Sequence, residues 1–172
     1  MTVGVTLRLG TAADAELLYR MGHRTFLHTF GPPNDPADVQ AYMATTYSVP
    51  VQCAELADPS VTFLIAAEHE TPVGYAKLVQ GRSGDGVIGT NPLEVQRFYA
   101  DVPFIGAGVG SVMMPEVIAH ADRGGHDTLW LAVWEHNPKA QRFYERHGFR
   151  VVGRQDFQLG RDLQQDLVME RR

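Results

Sequence analysis

Cys53 is the one cysteine of the chain. Its isolation excludes an internal disulfide and a cysteine-rich zinc site. A nucleophilic role for it would need a histidine partner, and nothing in the spacing supplies one. No apolar run approaches the roughly 20 residues that a membrane-crossing helix needs. The longest stretches, such as Phe63-Leu64-Ile65-Ala66-Ala67, have the length of a strand. The first residues, MTVGVTLRLG, lack a basic start and a long apolar segment, so no secretory signal and a cytoplasmic location are expected. Positive charge is not in excess either: the net charge is −5. Nucleic-acid binders usually carry a basic balance, so DNA and RNA are not the expected partners. The seven histidines contain no H-x-x-x-H pair, and His120 and His126 stand apart across Gly124-Gly125, so no metal site is expected.

What is present fits one domain over residues 1–172 with a real core, since 44% of the residues are hydrophobic. Thr6–Leu9 reads as a first strand, and Thr11 caps a helix striped by Leu17, Leu18 and Met21. Helices follow over Pro36 to about Tyr47 and Val51–Ala57. Strands are expected at Val61–Ala67 and Gly74–Val79, with Glu68–Pro72 turning between them, and at Leu93–Ala100. Gly81–Gly89 carries four glycines and reads as a mobile hairpin loop. A helix over Gly108 to about Arg123, a strand at Thr128–Trp134 and a helix at Pro138–His147 come next. Phe149–Leu159 and Leu163–Met169 close the chain as two strands. Strands and helices alternating around one sheet make an α/β (α+β) domain.

Ile105-Gly106-Ala107-Gly108-Val109-Gly110-Ser111 joins a strand to a helix. Glycines there let bare N–H groups at the helix start approach a phosphate. A glycine-rich turn feeding a helix accounts for the segment equally well when it is taken alone. A P-loop is excluded because Ser111-Val112 follows Gly110 where Lys-Ser/Thr would be needed. The dinucleotide fingerprint is matched only as Gly106-x-Gly108, and it comes too late in the chain for a first βαβ unit.

The last helix has both ends written in sequence. Asn137 is a favoured cap, Pro138 suits the first helical position, and Gly148 suits the left-handed position that ends a helix. Asn137 and Tyr144 are close to two turns apart, so they share a face about 10 Å long. An extended ligand could lie along that face, although Asn137 alone would serve as a cap and Tyr144 as packing.

Together, strand Leu93–Ala100, the glycine loop, strand Thr128–Trp134 and Asn137-x-x-Ala140-x-x-x-Tyr144-x-x-x-Gly148-Phe149 resemble the core of GNAT N-acetyltransferases. The resemblance spans about residues 60–170. It implies a mostly antiparallel central sheet of about six or seven strands with helices on both faces. It also implies that Ile105, Gly106, Ala107, Gly108, Val109 and Gly110 hold the pyrophosphate of acetyl-CoA. Ile105 departs from the Gln/Arg usual there. Phe98, Tyr99 and Ala100 would present backbone to the pantetheine and thioester, Asn137 would touch the same arm, and Tyr144 would sit beside the sulfur. Within the family, Arg97-Phe98-Tyr99 and Trp130-Leu131-x-Val133-Trp134-Glu135 are similar to bacterial polyamine (spermidine/spermine) acetyltransferases of the PaiA kind. Pro115 removes one bond of the helix after the loop and should bend or break it.

The chemistry so implied is direct attack of a primary amine on the acetyl thioester. Freeing an amine of pKa about 10.4 from its proton at pH 7 costs on the order of 4 kcal/mol, so a base is required. Glu94 is the carboxylate on the strand expected to border the cofactor, with Glu135 and His136 as alternatives. Tyr144 is the expected proton donor to the thiolate. The expected partners are acetyl-CoA and a small amine, without nucleic acid, membrane or metal; a homodimer is the common symmetric assembly. Transfer to a protein or peptide N-terminus, or binding of acetyl-CoA without catalysis, are the rival readings. Phe26, Phe30, Tyr42 and Tyr47 would line an amine pocket or anchor the first helices, and anchoring is the expectation. Trp130 and Trp134 share a strand face and are expected in the core.

Overall fold

The computed structural model describes residues 4–172. Strand β1 spans Val5–Leu9, and a 3-10 turn at Ala12–Asp14 leads into α1, Ala15–Phe30. Helices α2 (Pro36–Thr46) and α3 (Val49–Ala57) precede β2 (Val61–Glu68), β3 (Thr71–Gln80) and β4 (Pro92–Ala100). The chain continues through α4 (Val109–Arg123), β5 (Thr128–Trp134), α5 (Pro138–Arg146), β6 (Arg150–Leu159) and β7 (Asp162–Arg171).

The helix starts follow from their caps. Asp35 accepts the N–H of Ala37 at 2.8 Å before α2, and Ser48 accepts that of Val51 at 3.3 Å before α3. The strands form one sheet in the order β1-β2-β3-β4-β5-β7-β6. Every neighbouring pair is antiparallel except β4 and β5. Helix α4 covers one face through Met113, Met114, Val117 and Ala121, which are buried with Leu93, Val95, Leu131 and Met169. Leu18 and Met21 of α1 pack on the other face with Phe63, Ile65 and Tyr75. Helices therefore flank both faces, as the resemblance implies.

A bulge in β4 decides which side chains look which way. Lys77 pairs with Arg97 but Leu78 pairs with Val95, which leaves Gln96 as the extra residue. Val95 and Phe98 consequently both face α4, whereas Arg97 and Tyr99 face the α1 side.

Several expectations are corrected. Helix α4 runs unbroken through Pro115, because its buried methionines and valine hold it to the sheet despite the lost bond. The turn between β2 and β3 is only His69-Glu70, and Pro72 lies inside β3. Thr11 begins the 3-10 turn rather than α1 itself. The segment after β3 is no free hairpin but a strap laid across the sheet. Trp130 Nε1 donates to the carbonyl of Arg82 at 3.0 Å, and a Cβ on Gly84 would stand 2.6 Å from the Trp130 ring. Gly86 has φ +78° and approaches the Val152 carbonyl so closely that a Cβ would lie 2.1 Å from it. Glycine is frequent there because backbone must pass close to sheet, not for mobility.

Candidate active site

Strands β4 and β5 pair only at Pro92–Thr128, Leu93–Leu129 and Glu94–Trp130. Beyond that point β4 stays with β3 as far as Ala100, and β5 stays with β7 as far as Trp134 opposite Asp166. Right-handed twist then carries the two halves apart. A cleft of about 680 Å³ opens between them.

At one end lies the glycine loop. Arg24 of α1 is ion-paired to the buried carboxylate of Asp101, which also accepts the N–H of Val102 at 2.8 Å and so fixes the approach to the loop. Gly106 and Gly108 adopt φ +84° and +90°, a region closed to most side chains, and Gly108 caps α4. Among the described residues, the N–H groups of Gly106, Gly108, Val109 and Gly110 have no hydrogen-bond partner. All four residues line the cleft. Four bare amides and the positive end of α4 form an anion seat. Two neighbours differ from expectation. Ala107 gives its N–H to Phe104 at 3.1 Å and does not line the cleft; Ile105 gives its own to Val102 at 3.3 Å and offers only a side chain at the rim.

The opposite wall is α5. Asn137 caps it by accepting the N–H of Ala140 at 3.2 Å, and Gln141 Nε2 donates to the Trp134 and Glu135 carbonyls at 3.1 and 2.9 Å. The helix is thereby pinned to the end of β5, with Asn137 and Tyr144 both on the cleft. The Tyr144 ring meets those of Phe143, Phe149 and Phe98 at 5.4, 5.8 and 6.2 Å. Its hydroxyl has no hydrogen-bond partner among the described residues, and burial pushes its pKa above the ordinary phenol value. Phe98, Tyr99 and Ala100 complete this part of the wall.

The structure does not bring Glu94 to the cleft. It lies buried where the strands still pair, its carboxylate 3.2 Å from the Arg82 guanidinium, and burial raises its pKa. The bulged Gln96 takes the neighbouring place on the wall. Glu135 is ion-paired to Arg154 at 3.2 Å, and His136 lies 3.7 Å from the same carboxylate; neither lines the cleft.

The cleft's remaining side was not foreseen. Asp166, which faces it from β7, is 8% exposed. Burial, with Glu135 nearby, pushes its pKa up to about 6. Around it stand Phe30, Tyr42, Trp134 and Phe157, with Tyr42 and Phe157 rings 5.2 Å apart and Phe30 and Trp134 rings 5.6 Å apart. Of the first-helix aromatics, Phe26 and Tyr47 are buried core anchors, and Phe30 and Tyr42, partly buried against them, line the cleft together with one side of Phe26. Trp130 is buried and Trp134 opens onto the cleft. The only advance sign of Asp166 was its parity opposite to that of apolar Leu167 and Met169, which places it on the other sheet face from them.

Beneath the wall, Arg97 is 7% exposed and grips Glu55 at 2.9 and 3.0 Å and Gln52 at 3.2 Å. Lys77 donates to the same Glu55 at 2.7 Å, and the guanidinium lies 5.0 Å from the Tyr47 ring centre.

A family model described as the acetyltransferase (GNAT) family matches residues 17–149. An uncharacterized N-acetyltransferase of Mycobacterium tuberculosis is 31% identical over 158 residues, 92% of this chain and 97% of that protein. The spermine/spermidine N(1)-acetyltransferase of Bacillus subtilis is 34% identical over 64 residues, 37% of this chain and 42% of its own. The crystal structure of the PaiA N-acetyltransferase of Thermoplasma acidophilum in complex with coenzyme A has the same fold, with TM-score 0.77 at 19% identity over 99% of each chain. With the family model covering most of the sequence and a relative matched along nearly its whole length, the chain belongs to the acetyltransferase (GNAT) family.

Proposed function

We propose that the protein transfers the acetyl group of acetyl-CoA to a small primary amine by direct attack in a ternary complex. One observation carries this reading: the bare amides of Gly106, Gly108, Val109 and Gly110 and the unpartnered phenol of Tyr144 share a single cleft. The diphosphate of the substrate would take the amides. Lys139 and Arg146, exposed at the rim of the same cleft, add positive charge for its remaining phosphate. Asn137 would meet the arm between the two ends.

The amine nitrogen would attack the thioester carbon, forming C–N as C–S breaks, and its lost proton would pass to a base. Asp101 donates its N–H to Val73 of β3 at 2.8 Å, so strand alternation turns the N–H of Ala100 towards the gap, where it would meet the developing oxyanion. Tyr144 would protonate the departing thiolate. Its raised pKa keeps the phenol protonated at neutral pH, and the burial that raises it also makes a thiolate there a stronger proton acceptor.

The test couples binding to turnover. At about 100 times Kd, CoA should stabilise the protein by roughly 2.7 kcal/mol. That is a melting shift of about 2–4 °C per kcal/mol. Thiol release is then followed with small amines, amino acids and peptides. No shift with CoA would overturn the reading. Turnover confined to peptides would move it to N-terminal transfer, and a shift without any turnover would leave a binding module.

A further inference from the structure

We infer that Asp166 receives the ammonium of the acceptor, whose apolar body packs among Phe30, Tyr42, Trp134 and Phe157. The assignment rests on the transfer reading above and names the substrate class for it: a primary monoamine on an alkyl or aryl body.

Three observations carry it. First, Asp166 is the only carboxylate among the described residues that line the cleft; the basic residue types there are His28, Arg97, Lys139 and Arg146. Second, it is more than nine-tenths buried, yet among the described residues it has neither a hydrogen-bond nor an ion-pair partner. Its oxygens reach the open cleft, and a carboxylate so largely withdrawn from water without a protein partner is costly, which marks it as a candidate for a ligand to complete. Third, the walls around it are rings, which suit a hydrocarbon body and offer a cation their π faces.

The same inventory argues against a polycation. Glu135, the acid whose charge acts on Asp166, is already held by Arg154 at 3.2 Å. One cation subsite matches one ammonium. Once bound, the ammonium can yield its proton to Asp166, leaving a neutral amine to attack while the carboxyl holds the proton until product leaves.

The experiment uses the full chain, with and without CoA, and compares it with Asp166→Asn. Melting curves are recorded with 2-phenylethylamine, 1,4-diaminobutane and the uncharged 2-phenylethanol, and kcat/KM is measured for both amines by thiol release. The expected result is that 2-phenylethylamine raises the melting temperature of the wild type but not of Asp166→Asn, while 2-phenylethanol raises neither. The variant should lose roughly ten- to hundredfold in kcat/KM with its CoA shift intact. Because the variant removes a partnerless buried charge, it should melt no lower than the wild type, so lost activity is not lost folding. The assignment falls if Asp166→Asn keeps kcat/KM within about twofold, if both proteins show equal amine shifts, if no amine binds, or if the diamine is preferred about tenfold. A missing CoA shift is a separate result and overturns the transfer reading instead.

Discussion

Phe98 at the end of β4 and Phe143 in α5 hold their rings 5.7 Å apart, and both close on Gly110. A Cβ there would stand 3.4 Å from Phe98 and 3.3 Å from Phe143. The aromatic contact that joins the two walls of the cleft therefore also limits what may stand at the anion seat.

Replacing Gly110 by leucine should displace these rings and the amide beneath them. The CoA-induced melting shift should vanish, while overpacking lowers the melting temperature in the absence of ligand by about 1–3 kcal/mol equivalent. Thermal denaturation with and without CoA checks both.

Tyr144→Phe removes a hydroxyl that holds nothing else in place. The CoA shift should survive, and kcat should fall about hundredfold or more, as loss of a general acid does. Full kcat would show that the thiolate leaves unaided.

The Asp166 carboxyl gives stability a definite pH dependence. Its pKa of about 6 lies above the ordinary 3.8, so the folded protein holds more protons than the unfolded chain between those values. Stability from this group is present below pH 4 and is lost as pH rises through about 6. The facing groups are Glu135 at the end of β5, held by Arg154 of β6, and the Tyr42 phenol of α2, pushed up to about 12. Relative to Asp166→Asn, the wild type should lose on the order of 3 kcal/mol over that range. Denaturant melts at pH 4, 5, 6 and 7, about one unit apart, give the curve directly.

Glu55 is the one anion between Arg97 and Lys77. Glu55→Gln leaves two buried cations uncompensated and should cost about 3–5 kcal/mol, read from urea unfolding. A loss this large would show in expression and melting before it showed in substrate specificity.

What sequence revealed depended on how local the cause was. The limits of α5 are set by Asn137, Pro138 and Gly148 within one short segment, so they could be read directly. The bare amides of the glycine loop were likewise foreshadowed by residue type, although the bond from Ala107 to Phe104 was not. Glu94 was misplaced because the extent of the β4–β5 pairing leaves no mark in composition; that it reaches Glu94 opposite Trp130 emerges only in the assembled sheet. Asp166 became meaningful only opposite Trp134, a partnership between strands far apart in the chain. Pro115 obeyed no local rule, since tertiary burial of Met113, Met114 and Val117 outweighed one missing bond.

The brief pairing of β4 with β5 has a mechanical consequence. Past Glu94 and Trp130, two strand edges face each other with backbone groups that no protein strand satisfies. An extended, amide-bearing substrate arm can stitch that seam as a surrogate strand. Until it does, strand pairing joins the two halves of the sheet through three residue pairs. Hydrogen exchange along Phe98–Ala100 and Ala132–Trp134 should accordingly slow when CoA binds, making the ligand a structural rivet as well as a reactant.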